Sequence, residues 1–159
     1  MAYLIDGNNL LGFSFPGEHR DPENKRALVR KLLAFQRQTR SKIILIFDGR
    51  PVEDMAELSA SKDKFEINYP AEGETADSVI KEFLSRQTDT RKLFVVSSDR
   101  DIKTFAALKG ARPLTSKEFS AELRTVLKER KNAREMEKHV ERPTSLEVRL
   151  WEDVFREKK

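Results

Sequence analysis

The chain has 159 residues, a formal net charge of +4 and no cysteine. Its length suits one well-cored domain with at most a small appendage, and the lack of cysteine excludes disulfides, thiolate catalysis and sulfur-ligated zinc. No apolar run approaches the ~20 residues that span a bilayer, and a strand pattern begins too early for a signal peptide, so we expect a soluble cytoplasmic protein without membrane contact.

The first part of the chain alternates strand and helix patterns. Residues 2–6 form a short apolar run that ends in Asp6 and predicts a strand. Residues 7–20 contain glycines and a proline and are expected to form a loop. A helix is expected to begin at Pro22, because Asp21 can cap its first turn. The polar face of this helix carries three arginines: Arg26, Arg30 and Arg37.

Two further strand patterns and a helix follow. An apolar run ends in Asp48, and residues 65–69 alternate in hydrophobicity as an edge strand does. The next helix has apolar residues at helical spacing over residues 76–84. We expect Glu74 and Asp77 to lie in its first turn and to share one face of the helix.

The third buried run covers residues 93–99 and also ends in an aspartate. A helix is expected next, and Gly110 is the residue type that commonly follows a helix end. Residues 111–114 can add a last edge strand. Thr115 and Glu118 then have the capping-box spacing that predicts the start of another helix.

The composition changes after Leu127. Residues 128–142 hold six basic and four acidic residues, which favours a solvated helix or linker. We therefore predict a domain over residues 1–127 and a charged helical extension over residues 128–159. The end of the extension predicts an amphipathic helix that would pack on the domain, on a second copy as a homodimer, or on a protein partner. Its apolar side consists of Leu146, Leu150, Trp151, Val154 and Phe155.

Three strands that end in aspartate predict one shared site. Strands that alternate with helices indicate an α/β fold with a parallel sheet, and such folds bind ligands at the carboxyl ends of the strands. Converging carboxylates repel one another unless a cation lies between them, and Mg²⁺ and Mn²⁺ prefer oxygen ligands. The preferred ligands are Asp6, Asp77 and Asp99, followed by Asp48 and Asp101, while Glu74 would ligate or orient a water molecule.

Each of these residues also has a structural interpretation. An aspartate after a strand can form a turn or cap a helix, and Asp77 and Asp101 can stabilise helix N-termini through the helix dipole. Asn8 and Asn9 can bind a ligating carboxylate or a phosphate, or can be ordinary turn residues. Ser97 and Ser98 can likewise donate to the ligands or begin a turn.

Gathering acidic side chains in one cleft makes the remaining surface basic. Without six clustered carboxylates, 21 of the 27 acidic residues remain against 31 basic ones, which suits a nucleic acid. The arginines of the first long helix are expected to bind RNA. Arg50 and Arg100 can hold phosphate beside the aspartates or balance their charge. Phe13 and Phe15 can stack an unpaired base or fix their loop to the core.

Five segments resemble, in order and spacing, the NYN domains of the PIN-like nuclease superfamily, and the YacP-like branch above all. They are Ile5–Asn9, Phe47–Gly49, Glu72–Ile80, Val96–Asp101 and Gly110–Ala111, within about residues 3–127. The resemblance implies a Rossmann-like, three-layer sandwich with a central sheet of order 3-2-1-4-5 and metal-dependent RNA cleavage. It also implies that Asp6, Asp77 and Asp99 occupy the acidic metal-site positions, with Asp48, Asp101 and Asn9 in support.

The leading hypothesis is a metal-dependent endoribonuclease that uses Mg²⁺ or Mn²⁺ to activate water against phosphodiester bonds in single-stranded RNA, including mRNA or RNA held in a ribosomal context. One alternative is a non-catalytic RNA-binding module with a vestigial or structural metal site. Another is a phosphatase of the haloacid-dehalogenase type, which needs a second aspartate where this chain has Asn8. At that same position many YacP-like proteins have an aromatic residue, which leaves the substrate preference open.

Overall fold

The computed structural model describes residues 1–49 and 63–141 together with residues 149, 150, 152 and 154. The described part of residues 2–141 contains five strands and five helices, and residues 149, 150, 152 and 154 are helical as well. The strands are β1 Ala2–Asp6, β2 Lys42–Ile46, β3 Phe65–Asn68, β4 Leu93–Val96 and β5 Arg112–Leu114. The helices are α1 Gly7–Ser14, α2 Pro22–Thr39, α3 Ala76–Arg86, α4 Arg100–Leu108 and α5 Ser116–Glu141.

The strands form one sheet of order β3-β2-β1-β4-β5, and every pairing between these neighbours is parallel. The α/β class and the order 3-2-1-4-5 are therefore confirmed. Because the chain crosses from β3 at one edge to β4 beside β1, the strand order reverses between β1 and β4. The carboxyl ends of those two strands flank the crevice in which such folds bind ligands.

The sheet is covered on both faces, as predicted for a three-layer sandwich. Tyr3 and Ile5 of β1 face α1, α2 and α5, whereas Leu4 faces α3 and α4. The ring of Tyr3 lies 5.4 Å from that of Phe35 and 5.5 Å from that of Phe119, which ties α2 and α5 to the central strand. This packing fixes the helices whose first turns surround the carboxyl edge of the sheet.

The loop predicted over residues 7–20 is wrong for its first half, because α1 begins directly at Gly7. A Cβ on Gly7 would lie 2.6 Å from Phe47 Cδ1 and 2.8 Å from the Ile46 carbonyl oxygen, so only glycine fits where α1 meets β2. Leu10 and Leu11 are fully buried against the core. A helix this short depends on such tertiary contacts rather than on local propensity.

Helix α5 continues through Leu127 without a break and reaches Glu141. Residues 131–138 are exposed along it, as expected of a solvated helix. The start of the predicted terminal helix lies outside the described residues. Of its apolar side, the structure describes Leu150 and Val154, which are 57% and 49% exposed. Among the described residues, each helix is either too short or too polar to span a bilayer.

Candidate active site

The aspartates that were predicted to converge follow the carboxyl ends of β1, β2 and β4. Asp6 is the last residue of β1, and Asp48 follows β2 closely. Asp99 caps the N-terminus of α4, and Asp77 lies in the first turn of α3. The strands β2 and β4 end slightly earlier than predicted, at Ile46 and Val96, so the two later aspartates belong to the turns that lead away from the sheet.

Asp6 is the most enclosed of these carboxylates, with 9% of the residue exposed. Ser97 Oγ donates a hydrogen bond to Asp6 Oδ2 over 3.0 Å. The pKa of Asp6 is raised to about 6, chiefly by burial and to a smaller extent by the charges of Asp48 and Asp77, against the opposing effect of hydrogen bonds from Ser97 and the Asn9 backbone N–H. A carboxylate in such surroundings favours either a proton or a nearby cation.

Asp77 has a raised pKa for similar reasons. Burial is the largest cause, followed by the charge of Asp99, and the ammonium group of Lys81 acts in the opposite direction. The charge of Asp48 raises the pKa of both Asp77 and Asp6. Asp77 is thus linked electrostatically to carboxylates that end or follow β1, β2 and β4.

Lys81 is a site residue that the sequence analysis missed. Its ammonium group lies 2.5 Å from Asp101 Oδ2 and 3.8 Å from Asp77 Oδ2, where it partly neutralises the acidic group. The signal was present in the sequence, because Asp77 and Lys81 have the i, i+4 spacing of a helical ion pair.

Two of the aspartates also have structural partners. Asp48 Oδ1 accepts a hydrogen bond from the Ala76 backbone N–H over 2.8 Å and so holds the start of α3. Asp99 Oδ1 accepts from the backbone N–H groups of Asp101 and Ile102 at the start of α4. The helix-capping interpretation thus holds for Asp99, while its second carboxylate oxygen takes no part in these bonds.

Asn8 and Asn9 join the strand ends to one another. Asn8 Oδ1 accepts from the Asp48 backbone N–H over 3.1 Å. Asn9 Oδ1 accepts from the Ser98 backbone N–H over 2.9 Å and from Ser116 Oγ over 2.6 Å. One turn of α1 therefore fixes the ends of β2 and β4 and the beginning of α5.

Ser97 and Ser98 act within the same network. Ser97 Oγ donates to Asp6 and accepts from the Asp99 backbone N–H over 3.1 Å, so one hydroxyl links two of the predicted ligands. Ser98 Oγ accepts from the Ser116 backbone N–H over 3.1 Å. Ser116 was not singled out from the sequence, since nothing local connects the start of α5 to the end of β1.

Glu74 does not lie where the sequence predicted. Helix α3 begins at Ala76, and Thr75 is its N-cap in a capping box with Ser78. Glu74 therefore precedes the helix, is exposed, and does not share a helical face with Asp77. The reciprocal hydrogen bonds of Thr75 and Ser78 determine where the helix starts, and they leave the residue before the cap in the loop.

The arginines predicted to bind RNA are spread over the surface. Arg100 is exposed beside Asp99. Arg26 pairs with Glu23 in the first turns of α2. Arg30 and Arg37 are exposed, but Arg37 lies about 16 Å farther along the α2 axis than Arg26, toward the opposite edge of the sheet. Arg50 lies outside the described residues.

The donor chemistry of this edge suits a hard divalent cation, because the carboxylate oxygens of several strand ends respond to one another's charge. Among the residues that the structure describes, however, no three acidic or histidine side chains form a ready-made cation site. A cation would compete with Lys81 for Asp77 and Asp101. Binding would thus require these side chains to exchange present partners for the ion.

The comparisons with known proteins agree with this architecture. The model of the YacP-like NYN domain matches residues 3–159. The uncharacterized protein YacP of Bacillus subtilis (strain 168) is 24% identical over 160 residues, which cover 96% of this chain and 91% of that protein.

Two solved structures share the fold. The crystal structure of Rae1 (YacP) from Bacillus subtilis has a TM-score of 0.69 at 24% identity and covers 98% of this chain and 91% of its own. A tryptophan-to-leucine mutant of Rae1 has a TM-score of 0.66 at 23% identity, with 92% and 87% covered. Together with the match of the family model across nearly the whole sequence, these likenesses lead to one conclusion: the chain belongs to the YacP-like NYN domain family.

Proposed function

We propose that this protein is a metal-dependent endoribonuclease that hydrolyses phosphodiester bonds in single-stranded RNA. The main support for this proposal is the buried carboxylate of Asp6 at the end of the central strand. Burial and the charges of Asp48 and Asp77 raise the pKa of this carboxylate to about 6. Perturbed carboxylates in a crevice at a topological switch point mark candidate catalytic sites. Membership of the NYN family, within the PIN-like nuclease superfamily, supports this assignment.

In this proposal Asp6, Asp77 and Asp99 hold Mg²⁺ or Mn²⁺, and Asp48 and Asp101 support them. When bound, such an ion lowers the pKa of a coordinated water and stabilises charge on the phosphate. The hydroxyl of Ser97 orients Asp6 and the turn before Asp99 through its two hydrogen bonds. Asn8 and Asn9 hold the strand ends together, which keeps the carboxylates at fixed positions.

Basic residues at the rim of the site would position the RNA. Arg100 is exposed directly beside Asp99 and can reach a phosphate that approaches the carboxylates. Arg50 follows the Asp48 turn in sequence and is assigned the same role. The proposal includes a cytoplasmic location, with mRNA or RNA in a ribosomal context as the substrate.

A specific observation favours a second candidate, a non-catalytic RNA-binding module. Lys81 pairs with Asp101 and lies 3.8 Å from Asp77, so the acidic group is already partly neutralised by a side chain. In that case the carboxylates would be structural, and RNA would bind in the same way in the presence of a chelator.

The test is cleavage of end-labelled single-stranded RNA with Mg²⁺, Mn²⁺ or chelator, by the wild type and by Asp6→Asn and Asp77→Asn. The matched control is Asp89→Asn, because Asp89 is an exposed aspartate that pairs with Arg91 away from the site. We expect discrete products from the wild type and the control alone, and none with chelator. Full activity of both site variants would refute the nuclease, whereas chelator-indifferent binding without products would support the binding module.

A further inference from the structure

A groove separate from the acidic site lies between the end of α1, the middle of α2 and the first half of α5, with a volume of about 440 Å³. Its apolar lining includes Phe13, Phe15 and Leu123, and Lys31 and Arg124 line it as well. The groove thus combines aromatic rings with two cationic side chains from different helices.

The aromatic side chains of the groove differ in exposure. Phe15 is partly buried against the core, and the Lys31 ammonium group lies 6.0 Å from the centre of its ring. Phe13 is 46% exposed, which is unusual for a side chain with so much apolar surface. Phe15 therefore fixes the segment after α1 to the core, while Phe13 offers a ring to a ligand.

The charges on α5 are segregated over residues 117–129, the part of the helix beside the groove. At 100° per residue, Lys117, Arg124 and Lys128 fall within about 40° of one another around the helix axis, on the side next to the groove. Glu118, Glu122 and Glu129 fall together on another side of the helix. Neither Lys31 nor Arg124 forms an ion pair within the described residues. The groove is consequently bordered by uncompensated positive charge, which complements a polyanion.

The groove is connected to the candidate active site by two helices. Asn9 and Ser116 are hydrogen-bonded at the site, and α1 leads from Asn9 to Phe13 while α5 leads from Ser116 to Arg124. At 1.5 Å per residue, Arg124 lies about 12 Å along the α5 axis from Ser116. This distance corresponds to roughly three or four stacked nucleotides at about 3.4 Å each.

We propose that this groove binds an unpaired base of the RNA strand that enters the acidic site, with the base on Phe13 and its phosphates on Lys31 and Arg124. The inference rests on the proposed function for the identity of the ligand as single-stranded RNA. Base stacking on an exposed ring beside cations is sequence-tolerant, because every base has a π face. The groove therefore adds affinity and sets the direction of the strand without reading the sequence.

The test measures binding rather than cleavage. A labelled oligouridylate of ~12 nucleotides, within the range of site sizes for single-strand binding folds, is titrated with the full chain in chelator at several salt concentrations. Phe13→Ala should weaken binding by about fivefold or more, and Phe13→Trp should restore it. Lys31→Gln and Arg124→Gln should each lower the slope of log affinity against log salt by about 0.7. Lys92→Gln, at the opposite edge of the sheet, is the matched control.

Several results would overturn this proposal. The proposal is wrong if Phe13→Ala and the Lys31→Gln/Arg124→Gln double variant both bind RNA as tightly as the wild type and have the wild-type melting temperature. The groove would then not contact the RNA. If these variants change the oligomeric state of the protein but not its affinity for RNA, the groove instead binds a second copy of the chain.

The two proposals can fail separately. If the wild type binds RNA through Phe13 but does not cleave it, the groove proposal holds and the nuclease proposal is wrong. If cleavage is lost in Asp77→Asn but RNA binding does not depend on Phe13, the nuclease proposal holds and the groove proposal is wrong.

Discussion

The side-chain oxygen of Asn9 accepts a hydrogen bond of 2.6 Å from the hydroxyl of Ser116, a residue that is 107 positions later in the chain. The same oxygen accepts from the backbone N–H of Ser98. Because Ser98 directly precedes Asp99, this one amide positions a predicted ligand as well as the first residue of α5. The acidic site and the groove beside α5 thus share a common anchor.

We predict that Asn9→Ala destabilises the fold by about 1–3 kcal/mol, because the Ser98 N–H and the Ser116 hydroxyl lose their shared acceptor. Urea unfolding followed by circular dichroism measures this change. Asn24→Ala is the control, since Asn24 donates to the Glu18 carbonyl oxygen in an exposed loop. Equal stabilities of the two variants would show that the Asn9 contacts do not hold the site together.

Two glycine substitutions in α1 should have opposite effects. Gly7→Ala would force a Cβ to within 2.8 Å of the Ile46 carbonyl oxygen and should cost about 1–3 kcal/mol. Gly12→Ala has no heavy atom within 4 Å of the new Cβ, so it should add about 0.5–1 kcal/mol of helix stability. Thermal unfolding distinguishes the two, and a stable Gly7→Ala variant would contradict the close approach of α1 to β2.

The raised pKa of Asp6 predicts a pH dependence of stability in metal-free protein. In the native state the Asp6 carboxyl group keeps its proton up to about pH 6, whereas in the unfolded chain it loses the proton near pH 3.8. The contribution of Asp6 to the free energy of unfolding is therefore fully present below the pKa of the unfolded state and is lost as the pH rises through the pKa of the native state. A difference of about two pH units corresponds to roughly 3 kcal/mol, which is an upper bound.

Asp6→Asn removes this titration, so the variant should be more stable than the wild type at pH 8 but not at pH 4. Denaturant unfolding in chelator at both pH values measures the difference. Asp89→Asn is again the control, because Arg91 lowers the pKa of Asp89 to about 2 and the native carboxylate therefore stays ionised at both pH values. A stability gain for Asp6→Asn that is the same at both pH values would contradict the prediction.

The position of Lys81 predicts competition with cations. If a divalent ion binds Asp77 and Asp101, Lys81→Gln should lower the Mn²⁺ concentration for half-saturation by about two- to fivefold, the range expected for exposed ion pairs. The melting temperature as a function of Mn²⁺ concentration reports this affinity. Lys103→Gln, on the neighbouring helix, is the control. An unchanged midpoint would mean that Lys81 does not occupy the place of a cation.

The parallel sheet was predictable because strand type and strand-terminal aspartates are local features of the sequence. Asp6, Asp48 and Asp99 lie at one edge of the sheet because each of them ends or follows a strand and the strands are parallel. Helix α1 was not predictable, because Leu10 and Leu11 stabilise it through contacts with distant elements. Its turn-forming Gly-Asn-Asn sequence favours a loop when taken by itself.

The details of the site depend on contacts that local patterns do not encode. The sequence pattern placed Glu74 in the first turn of α3, whereas the capping box of Thr75 and Ser78 starts the helix at Ala76. The groove was beyond prediction for a different reason. Phe13, Lys31 and Arg124 come from three helices whose relative positions follow only from their packing on the sheet.

The most direct test of a metal-dependent nuclease measures two quantities during one Mn²⁺ titration of the wild type, with Asp77→Asn in parallel. The first is the rate of cleavage of single-stranded RNA, and the second is the melting temperature of the protein. We predict that both rise and reach half of their maximum at the same Mn²⁺ concentration, and that both responses are lost in Asp77→Asn. RNA cleavage that persists in chelator, or that is unchanged in Asp77→Asn, would contradict a metal-dependent nuclease at this site.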